Sequence, residues 1–300
     1  MPEVSVVIPH YNDVDRLRLC LACLAEQEDA PAFEVVVADN GSEPAHDPSG
    51  VVGEFGFARL VVEEKPGSYA ARNAALRTVD SPVVAFTDSD CLPEPGWLRA
   101  GYEAVLAQAE PRGLVAGHIE VFPVDAARPS GVELYDMLLE LRQRMYVEQE
   151  RFGATANVFT TSEVLGSVGV FDGGLKSYGD VEWGQRVDAA GRPLEYAAGV
   201  VVRHPARSSL SAMIRKRRRQ VGGEFDRGQA GVTRAVSWGM LGLLWKNTVG
   251  VLPKAWALGA DPRVEGLCQR LRLFTVYLRV HFARLLERVR KRLGGSSERE

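Results

Sequence analysis

The sequence predicts an α/β protein with a mostly parallel sheet flanked by helices and a helical extension at its C-terminal end. Three observations predict it. Short apolar runs that read as buried strands alternate with helical patterns through the first half of the chain. Those runs end in Asp, Asn, Gly and Ser, the composition of loops at the carboxyl edge of an open sheet, where ligands bind. Beyond Leu210, apolar residues recur at helical spacing between arginines.

Val4–Pro9 is the first strand, stopped by Pro9. Asp13–Glu26 carries Leu17, Leu21 and Leu24 at helical spacing, with Asp13 in the N-cap position. Phe33–Ala38 is a second buried strand and runs into Asp39-Asn40-Gly41-Ser42. A Gly- and Pro-containing loop leads to a short strand at Arg59–Val62, a helix over Ser68–Thr78 and a strand over Ser81–Phe86. This succession is a Rossmann-like, nucleotide-binding layout. It is not of the dehydrogenase type, since no GxGxxG follows the first strand. Next come a strand at Leu114–Phe122, a long helical stretch over Leu134–Arg151, a Gly-rich mixed region over Ala154–Gly191 and a strand at Gly199–Val202.

The composition is that of an ordinary folded protein, 46% hydrophobic and 25% charged with a net charge of −3. Cys20, Cys23, Cys91 and Cys268 make no disulfide framework in 300 residues, which fits a reducing compartment. Cys20 and Cys23 have CxxC spacing, but in an apolar helical pattern, so they read as packed thiols. No basic leader precedes the first strand, and no apolar run reaches 18 residues, so neither a signal nor a membrane span is expected.

Thr87-Asp88-Ser89-Asp90 is the most informative stretch. Two carboxylates leaving a buried strand together need a counter-charge, and Mg²⁺ or Mn²⁺ takes oxygen ligands while bridging carboxylates to a diphosphate. A solvated turn has the same composition, so the pair alone leaves both readings open. Asp39 closes a strand where a carboxylate could accept from a nucleobase or ribose, or instead form a helix cap or an Asx turn. Arg72 sits on a helix where a guanidinium could pair with phosphate or with Asp88.

Four elements stand in order: Val6-Val7-Ile8-Pro9-His10-Tyr11-Asn12, Val37-Ala38-Asp39-Asn40-Gly41-Ser42, Gly67-Ser68-Tyr69-Ala70-Ala71-Arg72-Asn73, and Thr87-Asp88-Ser89-Asp90. Together they closely resemble the nucleotide-sugar half of family-2 glycosyltransferases, which have the A-type glycosyltransferase fold. Ala156-Asn157, Val168–Asp172, Gly179–Trp183 and Arg203-His204 extend the resemblance, which covers residues 3–225. It implies division into a nucleotide-sugar half (1–112), an acceptor and catalytic half (113–225) and a basic helical extension (226–300). It also implies an inverting, metal-dependent transfer of one sugar from a nucleoside-diphosphate sugar to a hydroxyl acceptor. Pro9, Tyr11, Asn12, Asp39, Arg72 and Asp88 would bind the nucleotide. Asp90, with Asp88 and His204, would hold Mn²⁺ or Mg²⁺, and Asp180 would be the general base, the alternative being an N-cap for a helix over Val181–Ala190. Relatives usually carry Glu-Asp at that last position; here Gly179 replaces the Glu. Trp97, Glu182 and Trp183 are candidates to contact acceptor or sugar, although buried aromatics are commoner than sugar platforms. The processive members' Gln-x-x-Arg-Trp motif is absent, which favours single-sugar transfer. A nucleotidyltransferase would need a Gly-rich, Arg-containing loop where His10-Tyr11-Asn12-Asp13 stands, and a non-catalytic sugar-nucleotide-binding protein would share the fold.

The basic run Arg215-Lys216-Arg217-Arg218-Arg219 suits a diphosphate, anionic headgroups or a solvated helix face. Nucleic acid is not expected, since no recognition module accompanies it. Val264, Leu267, Leu271, Phe274, Leu278, Phe282, Leu285, Val289 and Leu293 make an amphipathic stripe, and Met240–Trp245 is a further apolar run. The stripe fits packing on the enzyme, a homodimer seam or a membrane interface. With lipid-linked acceptors common in the resembling family, the expected location is cytoplasmic, with peripheral contact to the cytoplasmic face of the membrane as one reading.

Overall fold

The computed structural model describes residues 1–226 and 251–295, so the Met240–Trp245 run lies outside the described residues. The chain forms two compact units: Met1–Glu120 with Leu141–His204, and Val121–Glu140 with Pro205–Glu300. Compactness thus groups residues 121–140 with the C-terminal helices, whereas the sequence divisions fall at 112/113 and 225/226.

The first unit is built on an eight-stranded sheet of order β3-β2-β1-β4-β7-β6-β8-β5. Its strands are β1 (Val4–His10), β2 (Phe33–Asp39), β3 (Ala58–Val62), β4 (Val83–Thr87), β5 (Leu92–Pro93), β6 (Leu114–Phe122), β7 (Asn157–Thr161) and β8 (Leu194–Pro205). The first four pair in parallel, as the strand–helix alternation predicts. β7 then enters antiparallel to β4 and to β6, so beyond β4 the sheet is mixed. Val4, Val6, Val7 and Ile8 of β1 and Val83–Phe86 of β4 are all buried, because helices cover both faces of a parallel sheet.

Helix α1 (Val14–Ala25) buries Leu17, Cys20, Leu21 and Leu24; Asp13 occupies the N-cap position, but its carboxylate accepts from Arg16 instead of capping. Helices α2 (Ser49–Val52) and α3 (Ser68–Leu76) follow; α3 buries Ala70, Ala71, Ala74 and Ala75, small side chains that let its backbone approach the strands. The four cysteines are unbridged, and the Cys20 thiol lies 3.7 Å from the Asp88 carbonyl oxygen it donates to.

The long helix expected over Leu134–Arg151 is broken. After α4 (Trp97–Ala107), helix α5 (Gly131–Leu139) ends at Glu140, and Leu141 takes φ 50°. A short turn, α6 (Gln143–Met145), and a single wide turn over Tyr146–Glu150 follow, closed by left-handed Arg151. Polar demands explain the break. Gln143 is needed by the backbone of Ala154 and Asn157, and Glu140 is buried against cations. Hydrophobic periodicity carries neither signal.

Asn157 closes the core beneath the site. Its side-chain oxygen accepts from the buried Trp97 indole N–H at 2.9 Å, and its amide donates to the carbonyls of His118 and Val200 at 2.8 and 2.9 Å. Asn157→Ala would take this partner from the Trp97 indole N–H and the Val200 carbonyl inside the protein, and from the partly exposed His118 carbonyl. We expect it to cost about 2–4 kcal/mol, read as a lower midpoint in urea unfolding; an unchanged midpoint would show that the cluster is not needed.

In the second unit, α5 opens with a capping box between Ser130 and Glu133. Its Val132, Leu134, Tyr135 and Leu138 pack with Met213 of α9 (Leu210–Asp226) and with Leu273, Val276 and Val280 of the long helix Gly266–Arg292. Two residues of the basic run are structural: Lys216 and Arg217 both pair with buried Glu140. The long helix packs through Leu273, Val276, Val280, Ala283 and Leu285, whereas Leu267, Leu271, Phe282 and Leu293 of the expected stripe are exposed. The helix Val251–Leu258 contains Pro253.

Candidate active site

The site lies at the carboxyl edge of the sheet in the first unit. β1 and β2 end in register, with His10 opposite Asp39. Asp39 is buried, and both its oxygens accept from Ser42, one from the backbone N–H at 3.1 Å and one from the hydroxyl at 2.5 Å. The carboxylate is therefore held in a local contact three residues on, which fixes its direction. Asn12, at φ 53°, ties the two strand-end loops together: its N–H donates to Ser42 Oγ and its side-chain oxygen accepts from Glu43 N–H. Pro9 is half-buried behind it, and Tyr11 is exposed, leaving its ring free to lie against a planar group. His10 is buried, and burial pushes its pKa down against the opposing pull of Asp39.

Asn40 anchors the approach to α3. Its amide donates to the carbonyls of Glu63 and Lys65, and its oxygen accepts from Gly67 N–H. Gly67 has φ 129°, a backbone region that side-chain-bearing residues avoid. Arg72, almost wholly buried on α3, pairs with Asp88 and also reaches the Ser68 carbonyl oxygen. Asp90, two residues further on, faces elsewhere: its Oδ1 lies 3.5 Å from His204 Nε2 on β8, and Arg16 is 4.0 Å from its other oxygen.

Helix α8 (Gly179–Ala189), which follows the short α7 (Ser162–Val168), begins at the same edge. Asp180 lies in its first turn, where the helix dipole favours negative charge. Asp180 Oδ1 accepts from Tyr69 O–H at 3.1 Å and from Val181 N–H at 2.9 Å. It keeps some contact with solvent yet is densely surrounded, and burial raises its pKa above the ordinary carboxylate value against the opposing pull of those hydrogen bonds and of Arg72.

The family profile described as glycosyl transferase family 2 matches residues 5–170, more than half of the chain. The chain belongs to glycosyltransferase family 2. Among relatives, it is 32% identical to glycosyltransferase AglE of Haloferax volcanii over 69% of this chain and 68% of the relative. It is 29% identical to the pre-mycofactocin glycosyltransferase of Mycobacterium tuberculosis over 72% of this chain but only 45% of that protein. The fold matches that of the mannosyltransferase PcManGT from Pyrobaculum calidifontis, solved with GDP-Man and Mn²⁺ (TM-score 0.61, 20% identity, 98% of this chain and 87% of that chain). It also resembles S. aureus TarS (TM-score 0.50, 17% identity, 96% of this chain and 55% of that chain).

In this family-2 glycosyltransferase, not all of the expected site residues meet at the sheet edge. Trp97 and Trp183 are fully buried, with indole N–H groups committed to Asn157 and to the Gly169 carbonyl oxygen. A sugar platform needs an open ring face, and neither has one; both are core residues. Glu182 holds Arg186 through two contacts at 2.6 and 3.0 Å, and Arg186 in turn clamps the carbonyls of Val168 and Val170. That arrangement braces the loop before α8. The ligand atoms of Asp90, Cys91 and His204 lie within 4.8 Å of one another. Cys91 is a poor member of that set: it is buried, its thiol reaches the Ala156 carbonyl oxygen at 3.8 Å, and burial pushes its pKa well up. A thiol is also the wrong donor for Mg²⁺ or Mn²⁺, whereas the carboxylate–imidazole pair fits Mn²⁺. Asn40 and Tyr69 were not singled out from sequence. Tyr69 had a readable signal, since it stands three residues before Arg72 and so shares a helix face with it.

Proposed function

We propose that this glycosyltransferase moves one sugar from a nucleoside-diphosphate sugar to a hydroxyl acceptor with inversion at the anomeric carbon. The observation that carries the reading is the gathering of Asp39, the Arg72–Asp88 pair, the Asp90–His204 pair and Asp180 at one sheet edge. Tyr11 and Asp39 would face the base and ribose, and Arg72 would keep Asp88 oriented toward the ribose or the cation. Asp90 and His204 would hold Mn²⁺ or Mg²⁺, which supplies positive charge to the departing diphosphate. Asp180 would take the acceptor's proton as its oxygen attacks from the face opposite the leaving group, and its raised pKa makes it a stronger base than an exposed carboxylate. The Mn²⁺ and GDP-Man bound by the structural neighbour are compatible with this reading. Release of nucleoside diphosphate from one donor, dependent on added metal and acceptor, is the expected result. Turnover unaffected by EDTA would contradict the metal assignment.

The second unit supports a reading of the acceptor's class. No described helix is long and apolar enough to cross a membrane. The long helix nevertheless exposes Leu271 and Phe282, with Arg272 and Arg279 also exposed. That arrangement suits peripheral contact with an anionic bilayer and hence a lipid-linked acceptor in cell-surface glycan assembly. The full chain should sediment with phosphatidylglycerol vesicles but not with phosphatidylcholine vesicles, and Leu271→Glu with Phe282→Glu should abolish it. Sedimentation with neither, alongside a dimeric mass in solution, would assign the stripe to a homodimer seam instead.

A further inference from the structure

Gly179 stands where relatives usually carry a Glu, and the structure gives a steric reason. A Cβ at that position would lie 2.7 Å from both Cδ2 and Cε2 of the Tyr69 ring. A side chain at 179 and the ring in its present place exclude one another. The ring is not free to withdraw. Tyr69 is buried and its centroid lies 5.7 Å from that of Phe171. Phe171 is itself packed against Phe86 and Trp183, each at 5.2 Å, and its carbonyl oxygen accepts from Asn73 of α3 at 2.7 Å.

What the ring brings to the site is its hydroxyl, which donates to Asp180 Oδ1. Three residues further along the same helix face, Arg72 pairs with Asp88, and its guanidinium carbon lies 5.7 Å from the Tyr69 ring centroid. One short helix therefore grips two carboxylates that reach the sheet edge from separate elements, β4 and α8. We propose that Tyr69 is a positioning residue for Asp180, and that α3 acts as a bracket fixing the acceptor base relative to the donor-side carboxylate Asp88. This rests on the reading of Asp180 as the base. Gly179 is then the small residue that the bracket requires.

Tyr69→Phe removes only the hydroxyl. The inference predicts that kcat falls about tenfold or more while donor KM stays within about twofold and the melting temperature barely moves. It also predicts that the acidic limb of the pH–rate profile shifts to higher pH, because the lost hydrogen bond favoured the carboxylate over the acid. Arg72 and Asp88, the other charges acting on Asp180, remain in that variant. Wild-type kcat and an unmoved limb in Tyr69→Phe, with Asp180→Asn inactive, would overturn this inference alone. Transfer surviving in Asp180→Asn would overturn the base assignment and the inference with it. The packing is tested without catalysis: Gly179→Ala should lower the melting temperature in the native background and much less so beside Tyr69→Ala. Equal losses in both backgrounds would overturn the steric account of Gly179.

Discussion

Asp180→Asn should lose transfer by about two to four orders of magnitude, with donor affinity preserved. The substitution is nearly isosteric, and an amide oxygen can still accept from Tyr69 O–H and Val181 N–H, so the local hydrogen bonds survive. Only the ability to take a proton is removed. Stability separates this from a folding defect. A carboxyl whose pKa is raised on folding favours the folded state at pH below its unfolded value, and that contribution is lost as pH rises through the folded value. At neutral pH the ionised Asp180 therefore costs the fold something, and Asp180→Asn should melt at or above the wild-type temperature. The same raised pKa moves the acidic limb of the wild-type pH–rate profile to higher pH than an ordinary aspartate would give. Lost activity with a sharply lowered melting temperature would mean instead that Asp180 is a structural residue of the first turn of α8.

Asp90→Ala should be nearly as damaging, but through the donor. Asp88 is engaged by Arg72, which leaves the Asp90–His204 carboxylate–imidazole pair as the proposed holder of the cation. Removing it should weaken metal-dependent donor binding and lower turnover by about a thousandfold, the scale on which a bound cation stabilises a leaving diphosphate. His204→Ala should show a smaller effect of the same kind. Turnover in Asp90→Ala that responds to Mn²⁺ as the native enzyme does would contradict this division of labour between the two aspartates.

The sheet was legible because its central strands are short, mostly apolar runs bounded by turn residues. Val6–Ile8, Val35–Ala38 and Val83–Phe86 suit a sheet buried on both faces, and Leu114–Phe122 was found with the bounds it has. The ends of those strands were legible for the same reason: Asp39, Asp88 and Asp90 follow them at once. What failed to show was anything depending on polar contacts distant in sequence. The break after Leu139 answers to Glu140 and Gln143, whose partners lie on α9 and near β7. The burial of Trp97 and Trp183 is set by Asn157 and the Gly169 carbonyl oxygen, and nothing in the residues around either indole announces it. The C-terminal stripe was legible as amphipathic, yet the long helix is apolar on more than one face, and it packs through Leu273, Val276 and Val280 while Leu271 and Phe282 stay outside. Periodicity locates an apolar face, but it does not say which of two faces meets the protein.

The proposed chemistry depends on a metal-dependent nucleoside-diphosphate-sugar site at the edge of β1, β2 and β4. Thermal denaturation of the full chain with a panel of such sugars, in Mn²⁺, in Mg²⁺ and in EDTA, tests it most directly. The account predicts that one donor raises the melting temperature only with the metal present, and that Asp90→Ala abolishes the rise while Asp180→Asn keeps it. Stabilisation that persists in EDTA, or that survives Asp90→Ala unchanged, would contradict it.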